Sequence, residues 1–117
     1  MKKYFYLLSA LSLLNISCSK DSPDDIKTNT PTTVTYDANI KSIMTNNCIS
    51  CHGSTLAQAG LKLTTYAEVK DAIQNKGVID RISKSATDPL VMPQGSKMAQ
   101  SNIDLIVKWQ TDGLLEK

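Results

Sequence analysis

The sequence predicts an all-α fold of about four helices, and three observations lead there. Apolar residues recur at spacings of three and four in several short segments. The alternation expected of a strand is nowhere sustained. Capping residues and glycines bracket the apolar segments where helices would start and stop. The chain of 117 residues suffices for one domain, and it contains no internal repeat.

The first helix is expected over Asp37–Asn46, with Ile40, Ile43 and Met44 on one face. Thr65-x-x-Glu68 matches a capping box, in which each side chain satisfies the other residue's backbone N–H. It opens a helix through Ala67, Val69 and Ile73, which Gly77 breaks. Val78–Ser83 reads as a short helical turn with Val78, Ile79 and Ile82 apolar. Ser101-x-x-Asp104 is expected to start the last helix, with Ile103, Ile106, Val107 and Trp109 buried and Gly113 as its stop. The first and last helices should pack together, Ile40, Ile43 and Met44 meeting Leu105, Ile106 and Trp109, with Trp109 as a packing residue.

Residues 1–17 read as an export signal. Lys2 and Lys3 form a basic start, and Tyr4–Leu14 is an apolar run too short to span a bilayer as a helix. Leu14-Asn15-Ile16-Ser17-Cys18 resembles a lipoprotein signal, in which Cys18 is acylated and becomes the first mature residue; Asn15 departs from the usual apolar residue. The simpler reading is an ordinary secretory signal that leaves an odd thiol behind. Lipidation would anchor the protein to a membrane of the cell envelope, periplasmic or surface-facing. Residues 18–33 are rich in Ser, Asp, Thr and Pro and read as a flexible tether, leaving 34–117 as the folded domain. Loss of the two signal lysines brings the formal charge of +2 to about zero, which gives no case for nucleic-acid binding.

The chemistry concentrates in Cys48-Ile49-Ser50-Cys51-His52, a C-x-x-C-H run. This is the attachment signature of c-type haem. The two thiols form thioethers with the vinyl groups, and the adjoining His is carried under the iron as an axial ligand. Other readings fit less well. A thioredoxin-type dithiol wants a βαβ context, which is not visible. A structural zinc site wants four N or S ligands, and apart from Cys18 no further Cys or His exists. A disulfide between cysteines three apart would be strained.

His52 is the only His, so bis-His ligation within one chain is impossible. Four Met are present. Met1 lies in the signal, and Met44 sits just before Cys48, on the attachment side. Met92 and Met98 are far enough downstream to reach the opposite face. Met92 is the better candidate, because Pro93 restricts it and fixes its own φ, and Gly95 permits a sharp turn. Met98 is second. Any Met is otherwise a common core filler.

Residues 34–115 resemble the small bacterial class I monohaem cytochromes c, most closely the lipoprotein branch of Bacteroidetes-type and planctomycete-type proteins. The resemblance rests on Val34–Ile43, on Cys48-Ile-Ser-Cys-His52-Gly53, on Ala59–Tyr66, on Met92-Pro-Gln-Gly95 and on Ile103–Gly113. It implies a small cytochrome c-like fold wrapped around one covalent haem and its iron. Cys48 and Cys51 would be the attachment residues, His52 the proximal ligand and Met92 the distal one. It implies electron transfer rather than enzymatic catalysis, with redox proteins as partners. Leu61, Leu63, Ile82 and Pro93 are expected to wall the haem.

Only Tyr36, Tyr66 and Trp109 remain as aromatic residues after the signal, a thin core that a haem would supplement. Without haem the domain is expected to be largely unfolded. Lys41, Lys62 and Lys97 lie near the haem-bearing segments, either steering an acidic partner or acting as ordinary solubilising charges. Two other roles stay open: a haem-based ligand sensor, and a fixed electron-relay subunit of a dehydrogenase or oxidase complex. No phosphate-binding glycine motif, Ser/His/Asp set or carboxylate cluster points to an enzyme.

Overall fold

Val34, the first fully buried residue, is held by Asp112 from the far end of the domain: its N–H donates to Asp112 Oδ2 at 2.8 Å. The computed structural model describes residues 30–117; the expected export signal, Cys18 and residues 18–29 of the expected tether lie outside the described residues. Among the described residues the fold is all-α, with no strand and a single isolated bridge between His52 and Ala57.

Thr35 caps a π-helical turn, Tyr36–Ile40, its side chain accepting from the Ala38 N–H. The first turn of any helix leaves donors without partners inside the helix. Here two of them reach the chain's end: Tyr36 N–H donates to Leu115 C=O at 2.9 Å and Asp37 N–H to Glu116 C=O at 3.0 Å. The turn runs directly into α1, Lys41–Asn47. The first helical segment therefore starts one residue before the expected Asp37 and ends one after Asn46, with Ile40, Ile43 and Met44 buried as the pattern required.

A fifth helix, beyond the about four expected, follows at once: α2, Ile49–His52, a single turn joined to α1 through Cys48. After it the chain loops through a 3₁₀ turn at Gln58–Gly60. It comes back to its start, where Leu63 N–H donates to the His52 carbonyl at 2.9 Å.

The capping box at Thr65 and Glu68 is complete and opens α3, Tyr66–Asn75. Glu68 Oε2 accepts from Thr64 N–H, Thr64 Oγ1 and Thr65 N–H at 2.9, 2.7 and 3.0 Å. Gly77 adopts φ 67°, a left-handed conformation that costs a residue with Cβ but not glycine, and it turns the chain into α4, Val78–Ser83. Val78 and Ile82 are buried, and Ile79 is half-buried.

The last helix, α5, spans Gln100–Thr111. Ser101 does not cap it. Ala99 holds the N-cap position without a side-chain bond, and Asp104 instead accepts from Gln100 Nε2 at 2.8 Å. The cap position therefore lies two residues earlier than the Ser101 signal implied, directly after the buried Met98. Val107 is also not buried: it is 39% exposed. It follows Ile106 by one residue, about 100° around the helix, and the stripe of Ile103, Ile106 and Trp109 faces the core instead.

One hydrophobic cluster unites the expected partners, with Ile40, Ile43, Met44, Ile106 and Trp109 buried and Leu105 packed at its edge. Trp109 is fully buried and its Nε1–H donates to Leu115 C=O at 2.8 Å. The rings of Tyr36, Tyr66 and Trp109 form a triangle with centroid separations of 5.6, 5.9 and 6.3 Å, within the range in which aromatic rings attract.

Candidate functional site

The α1–α2 junction places the C-x-x-C-H run. Cys48 takes φ −122° and ψ −42°, which breaks the regular helix. Its carbonyl still accepts from Cys51 N–H and His52 N–H at 3.1 and 2.8 Å, closing the single turn of α2. Both cysteines are free thiols. Cys48 is half-buried and Cys51 exposed, with Ser50 Oγ–H directed at Cys51 Sγ at 3.9 Å. Burial pushes the Cys48 thiol up to about 11, so it stays protonated at neutral pH.

Gly53 ends α2 against a crowded backbone. A Cβ there would lie 2.7 Å from the Ile49 carbonyl oxygen, closer than real contacts allow. The close approach lets the chain leave the helix directly after His52. The returning segment then locks the imidazole: His52 Nδ1 lies 3.1 Å from the Leu61 carbonyl oxygen. A carbonyl only accepts, so Nδ1 carries the proton, and Nε2 is left with the lone pair. Metal-bound histidines are oriented by this kind of second bond.

Cys48, Cys51, His52 and Met92 all line one cavity of about 520 Å³. Its size falls within the range of small-molecule sites, roughly 300–1,000 Å³. Leu61, Leu63, Ile82 and Pro93 are on its wall together with Val78. Met92 is half-buried at the end of the loop after α4, with its N–H donated to the Arg81 carbonyl at 3.1 Å. Met98 lines the same cavity but is 5% exposed and belongs to the hydrophobic core. Met44 is fully buried in that core.

The charged residues of the wall were not singled out from the sequence. Among the described residues, Lys76 and Arg81 are the charged side chains on the cavity wall. Lys41, Lys62 and Lys97 are exposed, and none of them lines it. The available signal was that Arg81 lies three residues after Val78 on a short amphipathic turn, but a basic residue at that spacing is common on any solvated helix. Among the described residues, no group of three or more His, Cys, Asp or Glu side chains is placed to hold a bare metal ion.

Two cysteines, two methionines and His52, whose Nδ1 is bonded to Leu61, thus line one mostly apolar cavity. Thioether and imidazole are ligands for iron, and thiols three residues apart can form two covalent bonds to one planar molecule. Comparison with protein-family models, with curated proteins and with solved structures gave no match to this chain.

Proposed function

We propose that this protein is a monohaem c-type cytochrome that carries electrons between redox proteins, anchored in the cell envelope through Cys18. The observation that carries the reading is the convergence of Cys48, Cys51, the sole His and Met92 on one apolar cavity, with His52 Nδ1 already committed to Leu61. Cys48 and Cys51 would hold the haem by thioether bonds, and His52 Nε2 and Met92 Sδ would be its axial ligands. Bound there, the group would supply a one-electron iron couple.

The chain's own residues contribute orientation and a dry wall. Leu61 fixes the imidazole plane through its carbonyl, Leu63, Val78 and Ile82 exclude water, and Lys76 and Arg81 bring positive charge to an otherwise neutral wall. With both axial positions filled by the protein, the iron would have no open site for substrate, which favours a carrier over an enzyme. Partners are redox proteins rather than nucleic acid. Among the described residues no helix is long and apolar enough to cross a membrane. On this reading the anchor is the acylated Cys18.

The test is expression with a c-type maturation system, followed by the reduced absorption spectrum with and without carbon monoxide. A covalent c-type spectrum unchanged by carbon monoxide is the expected result, with Met92→Ala opening the sixth position. Ready binding to the unaltered protein would favour a ligand sensor. Absence of covalent haem would overturn the reading.

A further inference from the structure

We propose that Arg81 is a positioning residue for the distal methionine, holding the loop after α4 so that Met92 serves as the ligand ahead of Met98, which lines the same cavity. The inference rests on the haem reading above.

Arg81 grips this loop twice. Its carbonyl accepts from Met92 N–H at 3.1 Å, and its guanidinium Nη1–H donates to Leu90 C=O at 3.4 Å. The two ties straddle Val91, whose side chain is buried, so three consecutive loop residues are held against the body of the domain. Before them the loop is closed on itself by Asp88, whose Oδ1 accepts from Leu90 N–H at 2.7 Å and whose carbonyl accepts from Val91 N–H at 3.1 Å. Lys84 adds ion pairs with Asp80 and Asp88 at 3.4 and 3.9 Å.

Beyond Met92 the restraint stops. Residues 94–95 form a local turn, and among the described residues no hydrogen bond ties 93–98 to another part of the domain, while 94–97 are exposed. Met98 lies at the far end of this untied stretch and already lines the cavity. The two thioethers therefore differ in how they are held: Met92 by the Arg81 grip, Met98 by burial in the core. Loss of the guanidinium tie leaves Met92 held by its backbone bond to Arg81 alone, a looser loop, while Met98 stays in place as a substitute.

Arg81 also brings a positive charge to the wall, and the experiment separates that role from the grip. Lysine keeps the charge, but as a compact, strongly hydrated ammonium on a flexible stem it lacks the planar fork that reaches the Leu90 carbonyl. The measurement is carbon monoxide affinity of the ferrous, haem-loaded full chain for the unaltered protein, Arg81→Ala, Arg81→Lys, Met98→Leu and Arg81→Ala/Met98→Leu. Leucine conserves volume at Met98, so the core is kept.

A more loosely held Met92 competes less well, and one hydrogen bond corresponds to about a two- to tenfold rise in affinity in both Arg81 variants. Met98→Leu should raise affinity more in the Arg81→Ala background than in the unaltered protein, because only there is the substitute thioether drawn on. That non-additivity is a signature that simple loss of stability does not produce. Unchanged affinity in Arg81→Ala would overturn the inference, as would a change in Arg81→Ala that Arg81→Lys fully restores. If the unaltered protein carries no covalent haem, the underlying reading fails first and the inference falls with it.

Discussion

His52 and Leu61, nine residues apart, are joined by a 3.1 Å contact between the imidazole Nδ1 and the backbone carbonyl. The His52 carbonyl in turn accepts from Leu63 N–H at 2.9 Å, so the segment 61–63 grips both the side chain and the backbone of the same residue. An imidazole held this way cannot rotate without breaking a partly buried hydrogen bond, at a cost of about 1 kcal/mol or more. The ring is oriented by protein atoms before any ligand is considered.

The two thiols differ in environment, and this should appear in their alkylation. In haem-free chain whose helical circular dichroism shows that this fold is kept, Cys51 is exposed whereas burial raises Cys48 to about 11. The thiolate is the reactive form. Cys51 should therefore be modified first by iodoacetamide at neutral pH, with Cys48 gaining reactivity as the pH approaches 11. Peptide mapping by mass spectrometry after short exposures checks the order, and equal rates at pH 7 would contradict it.

Gly53→Ala should destabilise the domain. The added Cβ would meet the Ile49 carbonyl oxygen at 2.7 Å, and relief requires backbone movement at the end of α2. A forced fit of this kind costs about 1–3 kcal/mol. In a domain of this size each kcal/mol lowers the melting temperature by about 4–8 °C. Thermal unfolding followed by circular dichroism reads this directly.

Acid stability should depend on Glu68. Hydrogen bonds from the Thr64 side chain and backbone, and then from Thr65, hold its carboxyl below the ordinary value of 4.5. A carboxyl lowered in the folded state contributes stability above the unfolded value, and that contribution is lost as pH falls through the folded value. Glu68→Gln should therefore destabilise the protein at pH 7 and narrow the gap to the unaltered protein below pH 4.5, as measured by urea unfolding at both pH values. Thr65→Ala, which removes the other half of the box, should cost about 0.5–2 kcal/mol.

Trp109→Ala should cost about 3–5 kcal/mol, the range for deleting a buried aromatic side chain. The indole is fully buried, closes the triangle with Tyr36 and Tyr66, and ties down the C-terminal tail through Leu115. Trp109→Phe keeps a ring but loses the bond to Leu115, so its loss should be smaller. Chemical denaturation of both variants separates packing from the tail contact.

Much of the local structure was legible in residue order. Thr65 and Glu68 announced a capping box because both partners lie within four residues and interact through one turn of backbone. Ile40, Ile43 and Met44 announced a buried face by their spacing. Ser101 misled because a capping side chain matters only if the chain enters the helix there, and the chain enters at Ala99 instead. Val107 misled because an apolar residue beside the buried stripe looks the same in sequence as one inside it.

Chemistry at Cys48, Cys51 and His52 follows from their order alone, since the spacing that brings two thiols and an imidazole together is covered by one helical turn. The rest of the cavity depends on distant segments meeting. Arg81 and Lys76 reach its wall, Met98 joins Met92 there, and the tail at Leu115 and Glu116 satisfies the first helical turn at Tyr36 and Asp37. Such contacts are set by how the loops close and which faces the core can bury together. These depend on the packing of the whole domain, whereas a cap or a helical stripe depends on neighbours within four residues.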